Sequence, residues 1–187
     1  MSERFEVLET ALHGVHVLER KRRSDERGWL ERMYDAGELD TVLGSRSVVQ
    51  VNRTLTRERG SVRGMHYQVA PSAEMKILSC LRGAIFDVAV DLRRHSPTFL
   101  RWHAEALDAQ QQRSLVIPEG CAHGYQALAD DCELLYLHTA AYDPVAEGGV
   151  HPLDPRLGIA WPLTVGHLSE RDASFSPLDA AFEGIDG

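Results

Sequence analysis

The stretch 75–91, MKILSCLRGAIFDVAVD, contains two apolar runs of strand length separated by the turn residues Arg82-Gly83. Similar short runs continue along the chain on both sides of it, with turn signals between them. Because the runs recur roughly every 8–12 residues, they indicate an all-β sandwich or barrel rather than alternating βα units. Strands are predicted near 46–54, 62–68, 75–81, 84–91, 99–107, 113–117, 124–129 and 132–139.

Helix signals are sparse and lie outside this strand series. The stretch 36–43, AGELDTVL, predicts one short helix. Ser169 followed by Asp172 is typical of an N-cap with an acid in the first turn, so a helical turn is predicted to begin there. The helices are therefore expected to be short and peripheral.

The composition is that of an ordinary globular protein, with 43% hydrophobic and 26% charged residues among 187. At about 150 residues per domain, this length predicts one domain with its own core. The net charge of −8 repels a nucleic-acid backbone, so nucleic acid is not an expected partner. Three cysteines without a C-x-x-C spacing fit a reducing compartment. The N-terminus has no apolar signal segment and no run has membrane-span length, so a soluble cytoplasmic protein is expected.

Strand parity shows which polar side chains share a face. Gln50, Asn52 and Thr54 lie on one face of their predicted strand, and Tyr136 and His138 share a face of another. A polar face of this kind is usually the solvent side of a sheet. In a closed barrel or jelly roll, however, an inward polar face lines a pocket, and parity alone leaves both possibilities open.

His66 is the first candidate for chemistry. A single histidine in a strand is often structural, because one hydrogen bond satisfies its ring. Arg63 lies three residues earlier and has the opposite parity. The two side chains can share a pocket only if Gly64 permits a β-bulge.

The segment 118–124, PEGCAHG, resembles the second motif of the cupin superfamily, in which a proline-glycine turn precedes a histidine. The first cupin motif supplies two histidines one residue apart, whereas here the spacing is His66-x-Gln68. Glutamine is a poor substitute for imidazole on a transition metal. His66, Glu74 and His123 remain an alternative metal-binding set of two histidines and one carboxylate.

Three further residues each have a structural and a functional interpretation. Lys76, in the run MKIL, is either an edge-strand lysine with a solvated head or a buried cation that stabilises an oxyanion. Asp172 is a helix-start carboxylate or a functional acid. Tyr136 is a core residue with a bonded hydroxyl or a proton donor.

An ordered set of motifs resembles the dTDP-4-dehydrorhamnose 3,5-epimerase family over about residues 20–175. No single motif is decisive, but their order is specific. The set consists of DERG at 25–28, Q-x-N at 50–52, RG-x-HYQ at 63–68, Lys76, FDVAVD at 86–91, SPT at 96–98, IP-x-G-x-AHG at 117–124, Tyr136, Y-x-P-x-x-E at 142–147 and I-x-WP at 159–162.

The resemblance implies a cupin-type jelly roll that needs no metal and no cofactor, and a homodimer. It also implies epimerisation of a nucleotide-linked 4-keto-6-deoxyhexose, with dTDP as the expected nucleotide, at C3 and C5. This is a reaction of deoxysugar biosynthesis such as that of dTDP-rhamnose. Residues 1–187 then form a single domain with a core over about 20–175 and a C-terminal tail after about 176, which is expected to be loosely held.

The family's site residues are carried over by position. His66 is similar to the general base, Asp172 to its carboxylate partner and Tyr136 to the acid on the opposite face, while Lys76 matches the lysine near the C4 oxygen. Tyr142 matches an aromatic residue that stacks on the thymine. Other substrate-contacting positions match Arg27, Trp29, Gln50, Asn52, Arg63, His123, Glu147 and Arg171, and Arg27 and Trp29 are expected to reach the partner's pocket.

Two positions depart from the family pattern. Val51 stands where the family often has an acid, and Arg32 stands where a glutamate is expected, with Glu31 one residue early. Both departures are expected to lie toward nucleotide or sugar contacts. The alternatives kept beside double epimerisation are a C3-only epimerase, a metal-dependent cupin enzyme and a non-catalytic sugar-binding cupin.

Overall fold

The computed structural model describes residues 4–186, which contain thirteen strands and two short helices. The strands are β1 (Phe5–Glu9), β2 (His16–Arg20), β3 (Arg23–Asp25), β4 (Gly28–Leu30), β5 (Gln50–Thr56), β6 (Val62–Gln68), β7 (Lys76–Arg82), β8 (Ala84–Asp91), β9 (Trp102–Asp108), β10 (Arg113–Ile117), β11 (Cys121–Ala127), β12 (Cys132–His138) and β13 (Glu147–Gly149). The helices are α1 (Asp40–Leu43) and α2 (Glu170–Ser174).

Two antiparallel sheets form the body of the fold. One has six strands in the order β1-β2-β10-β7-β12-β5, and the other has five in the order β13-β6-β11-β8-β9. Strands β3 and β4 form a separate hairpin. Neighbours within each sheet are mostly distant in sequence, which is typical of a jelly roll. The predicted all-β, cupin-type jelly roll with short peripheral helices is confirmed.

The apolar core lies between the two sheets. The larger sheet contributes residues such as Leu78 and Leu134, and the smaller sheet contributes Ile85 and Tyr125, all almost completely buried. These side chains alternate along their strands with outward-facing residues, which is the two-residue period of a strand. The apolar core fills one part of the space between the sheets, and mostly polar side chains line the rest.

The N-terminal strands and the C-terminal segment 178–185 belong to this body. Strands β1 and β2 lie at one edge of the six-stranded sheet, with Val17 in the core. The C-terminal segment lies on the outer face of the smaller sheet, where Leu178 and Phe182 pack, and Ile185 bridges to Arg93. The structured region thus begins earlier than the expected boundary near 20. Within the expected C-terminal tail, Leu178, Phe182 and Ile185 make apolar contacts with the smaller sheet.

Several predicted element bounds differ from the structure for local reasons. Strand β11 begins at Cys121, directly after Gly120, because β8 extends to Asp91 and pairs with it there. Only the last part of the predicted helix 36–43 is helical, since the Asp35 carboxylate accepts the N–H groups of the next residues and forms a turn instead. Strands β1 to β4 and β13 were missing from the sequence prediction.

Among residues 4–186, no helix has the length and apolar character needed to cross a membrane.

Candidate active site

A cavity of about 640 Å³ lies between the two sheets. Its walls come from β5, β7 and β12 of the larger sheet, from β6 and β11 of the smaller sheet, and from the segment around α2. The even-numbered face of β5 is therefore a pocket face and not a solvent face. Eleven predicted site residues line the cavity: His66, Asp172, Tyr136, Lys76, Gln50, Asn52, Arg63, His123, Tyr142, Glu147 and Arg171.

A β-bulge in β6 brings Arg63 and His66 into the same cavity. His66 pairs with His123 of β11, but Arg63 pairs with Tyr125, so three steps along β6 oppose two along β11. The bulge predicted at Gly64 is confirmed. Gly64 has φ of 118°, and a Cβ there would lie 2.5 Å from the Cα of the neighbouring strand. Only glycine fits this position without moving backbone.

His66 forms a dyad with Asp172. The His66 Nε2 to Asp172 Oδ1 distance is 2.7 Å, and the Gly64 N–H donates to Asp172 Oδ2 at 3.2 Å. Because a carboxylate only accepts hydrogen bonds, it places the proton of a neutral His66 ring on Nε2 and makes Nδ1 the basic nitrogen. The dyad is thus oriented for proton abstraction by Nδ1.

Helix α2 presents Asp172 from its first turn. Ser169 is the N-cap, and its hydroxyl accepts the Asp172 N–H at 3.0 Å. Burial raises the pKa of Asp172, but the hydrogen bond and charge of His66, with the Gly64 N–H, outweigh burial and lower that pKa. The predicted N-cap is confirmed. Asp172 lies in the first turn of the helix and also contacts His66, so its two interpretations do not exclude each other.

Phe175, which follows α2, packs against the side of the His66 ring. Its ring meets the His66 ring edge-on, with centroids 5.9 Å apart. Gly149 lies opposite His66 on β13, and a Cβ there would overlap the Phe175 ring at 2.1 Å. The glycine therefore makes room for the aromatic ring that restricts His66.

Lys76 begins β7, a central strand between β10 and β12, so the edge-strand interpretation is wrong. Its side chain is only 10% exposed. Nζ lies 3.2 Å from Glu74 Oε1 and 3.5 Å from the His66 carbonyl oxygen. An ammonium group held this way at the cavity wall is suited to bind an oxyanion.

The alternative metal-binding set is not assembled. His66 is bonded to Asp172, His123 Nε2 lies 2.7 Å from Asp87 Oδ1, and Glu74 is engaged by Lys76. Within residues 4–186, no three His, Cys, Asp or Glu side chains are arranged to hold a metal ion. Each donor of that set is already paired with another group.

Tyr136 lies on the wall formed by the larger sheet. Its ring meets His123 edge-on at 5.9 Å and stacks on His138 at 5.8 Å. Burial raises the pKa of the Tyr136 hydroxyl well above its usual range. The phenol is therefore protonated at neutral pH and can act as a proton donor.

Asp87 and His138 were not assigned a role from the sequence, and Glu74 was considered only as a metal ligand. Asp87 is fully buried and pairs with His123, whose pKa is lowered by burial although Asp87 opposes the shift. Glu74 and His138 form another pair, with His138 Nδ1 at 2.7 Å from Glu74 Oε2. An acid within the apolar run FDVAVD was the available signal for Asp87. Glu74 and Lys76 share parity across one residue, which was the signal for their contact.

Polar groups surround the cavity mouth. Glu147 Oε2 accepts from the Tyr142 hydroxyl at 2.7 Å and lies 2.6 Å from the Arg171 guanidinium. The Tyr142 N–H donates to the Gln50 side-chain oxygen at 3.0 Å. On the other side, Arg63 Nε donates to a threonine hydroxyl of β5. Tyr142 is 54% exposed, so its ring face is open to a ligand.

Two predicted site residues, Arg27 and Trp29, do not line this cavity. They lie on the β3–β4 hairpin, where Arg27 pairs with its neighbour Asp25 and its side chain is 85% exposed. Trp29 is 60% exposed and lies under the Arg22 guanidinium at 3.9 Å. In a single chain they contribute nothing to the site.

The two departures from the family pattern also lie outside the cavity, contrary to expectation. Val51 has the opposite parity to the pocket face of β5 and is 57% exposed. Glu31 is buried against Arg20, at 2.6 Å, while Arg32 pairs with Asp35 at 2.9 Å. Val51 and Arg32 therefore do not line the cavity of this chain.

The fold and the cavity define a cupin-type jelly-roll protein with a histidine–carboxylate dyad and a phenol on facing sheets, groups that can transfer protons. The family model for dTDP-4-dehydrorhamnose 3,5-epimerase matches residues 9–180, so the chain belongs to that family.

Relatives of known name support this membership. The dTDP-4-dehydrorhamnose 3,5-epimerase of Streptomyces griseus is 42% identical over 164 residues, which cover 87% of this chain and 81% of the relative. A dTDP-4-dehydrorhamnose 3-epimerase of Streptomyces niveus is 40% identical over 162 residues, covering 86% and 78%. The Legionella pneumophila 3,5-epimerase, solved in complex with dTDP-4-keto-L-rhamnose, superposes with a TM-score of 0.89 at 34% identity, covering 98% of this chain and 99% of that one.

Proposed function

We propose that this chain is an isomerase that epimerises a dTDP-linked 4-keto-6-deoxyhexose at C3 and C5 through an enolate, with its own side chains and no cofactor. The observation that carries the proposal is the placement of His66 and Tyr136. His66 lies on the smaller sheet and Tyr136 on the larger sheet, and both line the cavity between them. A sugar ring in that cavity presents one face to each.

The first step is removal of a proton α to the ketone. His66 Nδ1 takes the C3 or C5 proton, and the electron pair of that C–H bond forms the enolate, with negative charge on the C4 oxygen. Asp172 stabilises the imidazolium, because its carboxylate accepts the Nε2–H. The Lys76 ammonium is the group available for the oxyanion. A donor of this kind lowers the activation free energy by about 3–4 kcal/mol.

Inversion then requires a proton on the opposite face. The Tyr136 hydroxyl gives its proton to the carbon, the enolate collapses to the ketone, and the configuration changes. The phenol is protonated before this step, since burial raises its pKa. Reprotonation by His66 would instead restore the original configuration, so the second face makes the reaction an epimerisation.

The nucleotide end of the substrate is assigned to the cavity mouth. Arg63 offers a guanidinium to the diphosphate, and the open ring face of Tyr142 suits stacking on a base. The charge of Arg171 is partly compensated by Glu147, so Arg63 is the less encumbered cation. The relative solved with dTDP-4-keto-L-rhamnose supports a dTDP-linked substrate.

We also propose that the chain acts as a homodimer in which the β3–β4 hairpin enters the partner's cavity. The support is the exposure of Arg27 and Trp29, which an isolated chain leaves unused. A cytoplasmic location remains our expectation, in keeping with three free, buried cysteines. Light scattering at micromolar concentration tests the dimer, and a fully active monomer would refute it.

Turnover of dTDP-4-keto-6-deoxyglucose in heavy water, followed by NMR of the product, tests the reaction. Deuterium at both C3 and C5 with inversion supports double epimerisation. Deuterium at C3 alone would identify a C3-only epimerase, as the Streptomyces niveus relative is named. Binding without exchange would identify a sugar-binding protein. Turnover that requires a stoichiometric transition metal would identify a metal-dependent enzyme.

A further inference from the structure

The cavity holds a third histidine–carboxylate pair, His138–Glu74, that the proposed mechanism does not use. We propose that Glu74 and His138 are positioning residues that keep the Lys76 ammonium charged and directed at the substrate carbonyl. This inference rests on the proposed function for its catalytic meaning, but the contact that it concerns is a property of the protein alone.

The contacts form one continuous chain of polar groups. Lys76 Nζ lies 3.2 Å from Glu74 Oε1, and the other oxygen of the same carboxylate, Oε2, lies 2.7 Å from His138 Nδ1. His138 Nε2 then lies 3.3 Å from the Asn52 side-chain nitrogen. The side chains of Lys76, Glu74 and His138 are between 7% and 11% exposed. Both oxygens of the carboxylate are therefore occupied in a site with little water.

The backbone fixes this chain of contacts. His138 is the register partner of Lys76 on β7 and of Gln50 on β5, so it lies between the two strands. It shares its face of β12 with Tyr136, and the two rings are nearly parallel, at 6°. The imidazole is thus clamped by a ring on one side and by Glu74 at one nitrogen.

The proton positions follow from the partners. The Glu74 carboxylate accepts, so the Nδ1 of His138 carries a proton. In a neutral ring Nε2 is then an acceptor, and the amide N–H of Asn52 faces it. Burial raises the pKa of Glu74, but the bond from His138 and the charge of Lys76 outweigh burial and lower it, so the group stays ionised.

The proposed reaction requires a Lys76 side chain that stays charged and remains available to the enolate oxygen. A buried ammonium tends to lose its proton, because desolvation disfavours the charged form. Glu74 counters this loss but also competes with the enolate oxygen for the ammonium. His138 donates a hydrogen bond to the second oxygen of Glu74. This bond holds the carboxylate in place and weakens its attraction for the Lys76 ammonium. The charged and titratable groups facing His138 are Lys76 of β7, Glu74 and Tyr136, while β5 presents only the amides of Gln50 and Asn52.

The chain itself provides a clean measurement of the Lys76 proton. Lys76 and Lys21 are the only lysines in the sequence. Carbon-13 labelling of lysine Cε therefore yields two NMR signals, whose chemical shifts report ammonium titration. Lys21 is 54% exposed and serves as the internal reference, and a Lys21→Arg variant assigns the signals.

In Glu74→Gln the titration midpoint of the Lys76 signal should fall by about 1–3 pH units, the effect of losing an opposite charge at this distance. The Lys21 midpoint should stay in place. The kcat should fall by at least about tenfold, with KM changed less than twofold, because the lost contact matters where the oxyanion develops. If this variant does not fold, Glu74→Asp serves instead, because its carboxylate is one methylene farther from Lys76. It should also lower the titration midpoint of the Lys76 signal.

His138 is tested by a pair of variants. His138→Leu should lower kcat about tenfold, the cost of one hydrogen bond to a charged group. His138→Gln should keep kcat within about threefold, because its amide can still donate to Glu74. The control is His103→Gln: His103 contacts Glu105 at 3.0 Å on β9, and neither residue lines the cavity. This control should retain wild-type kcat and the wild-type Lys76 midpoint.

A Lys76 midpoint that does not move in Glu74→Gln would overturn the inference, as would an effect confined to KM or a His138→Leu variant with wild-type kcat. The proposed function fails differently. If the wild-type protein never turns over the nucleotide sugar but the Lys76 midpoint shifts in Glu74→Gln, the carboxylate holds the ammonium as inferred and only the assigned reaction is wrong.

Discussion

Replacing Asp172 by asparagine should damage the enzyme more than replacing it by alanine. Two donors point at the Asp172 carboxylate, His66 Nε2–H at 2.7 Å and Gly64 N–H at 3.2 Å. An asparagine has one oxygen and one NH₂ group, so it can accept only one of them. If its oxygen faces Gly64, its NH₂ faces His66 Nε2, which must then be unprotonated. The ring proton moves to Nδ1, and the basic nitrogen toward the substrate is lost.

The magnitude follows from those two contacts. Asp172→Ala removes a charge-assisted hydrogen bond of about 1.5–3 kcal/mol, so kcat should fall by about 10–150-fold. In Asp172→Asn the NH₂ group either forces His66 into the wrong tautomer or leaves two buried donors facing each other. Either outcome costs a further 1–3 kcal/mol, which lowers kcat by about another 5–150-fold. The product of the two factors is about 50- to 2 × 10⁴-fold, and its upper end is comparable to the roughly 10⁴-fold loss that a misoriented histidine causes in a catalytic triad.

The assay is kcat at saturating nucleotide sugar together with the rate of deuterium uptake at C3 and C5. Both quantities should fall in the order wild type, Asp172→Ala, Asp172→Asn, with KM little changed, because Asp172 acts through His66. Thermal unfolding of each variant serves as the control for the fold. An Asp172→Asn variant that equals or exceeds Asp172→Ala would refute the tautomer argument.

Three other outcomes follow from the contacts. Tyr136→Phe should retain solvent exchange at the α-carbons better than net inversion, because His66 can return a deuteron to the original face; wild-type inversion in this variant, measured by NMR, would make Tyr136 a core residue. Burial raises the pKa of Asp91, but hydrogen bonds from its neighbours outweigh burial and lower it, so the stability that they provide is complete at neutral pH and is lost as the pH falls below about 4. Acid unfolding followed by circular dichroism should therefore be less pH-dependent in Asp91→Asn, and an unchanged profile would contradict this. Co-expression of His66→Ala with Arg27→Ala should restore about a quarter of wild-type activity, since half of the chains pair as heterodimers with one intact site each; no recovery in the purified heterodimer would argue against a shared site.

The local pattern of the chain predicts much of the fold and most of the cavity wall. The two-residue alternation in FDVAVD and RSVVQVNRT defines which side chains share a face, and the proline and glycine turns separate the strands. Gly64 between Arg63 and His66 predicted the bulge, because opposite parity left no other way for both to reach one pocket. These are relations between near neighbours, which backbone geometry settles by itself.

What the sequence alone determined is therefore the all-β class, the face on which each residue lies and the types of side chain available for proton transfer. Tertiary structure alone decided which of these faces meet. Asp172 reaches His66 across 106 positions only because the C-terminal segment lies on the smaller sheet. Lys76 is buried only because β7 is central in the larger sheet, where its ammonium pairs with Glu74. Parity says which side chains share a face, but the partner of that face is set by strand order, and strand order depends on contacts between residues far apart in the chain.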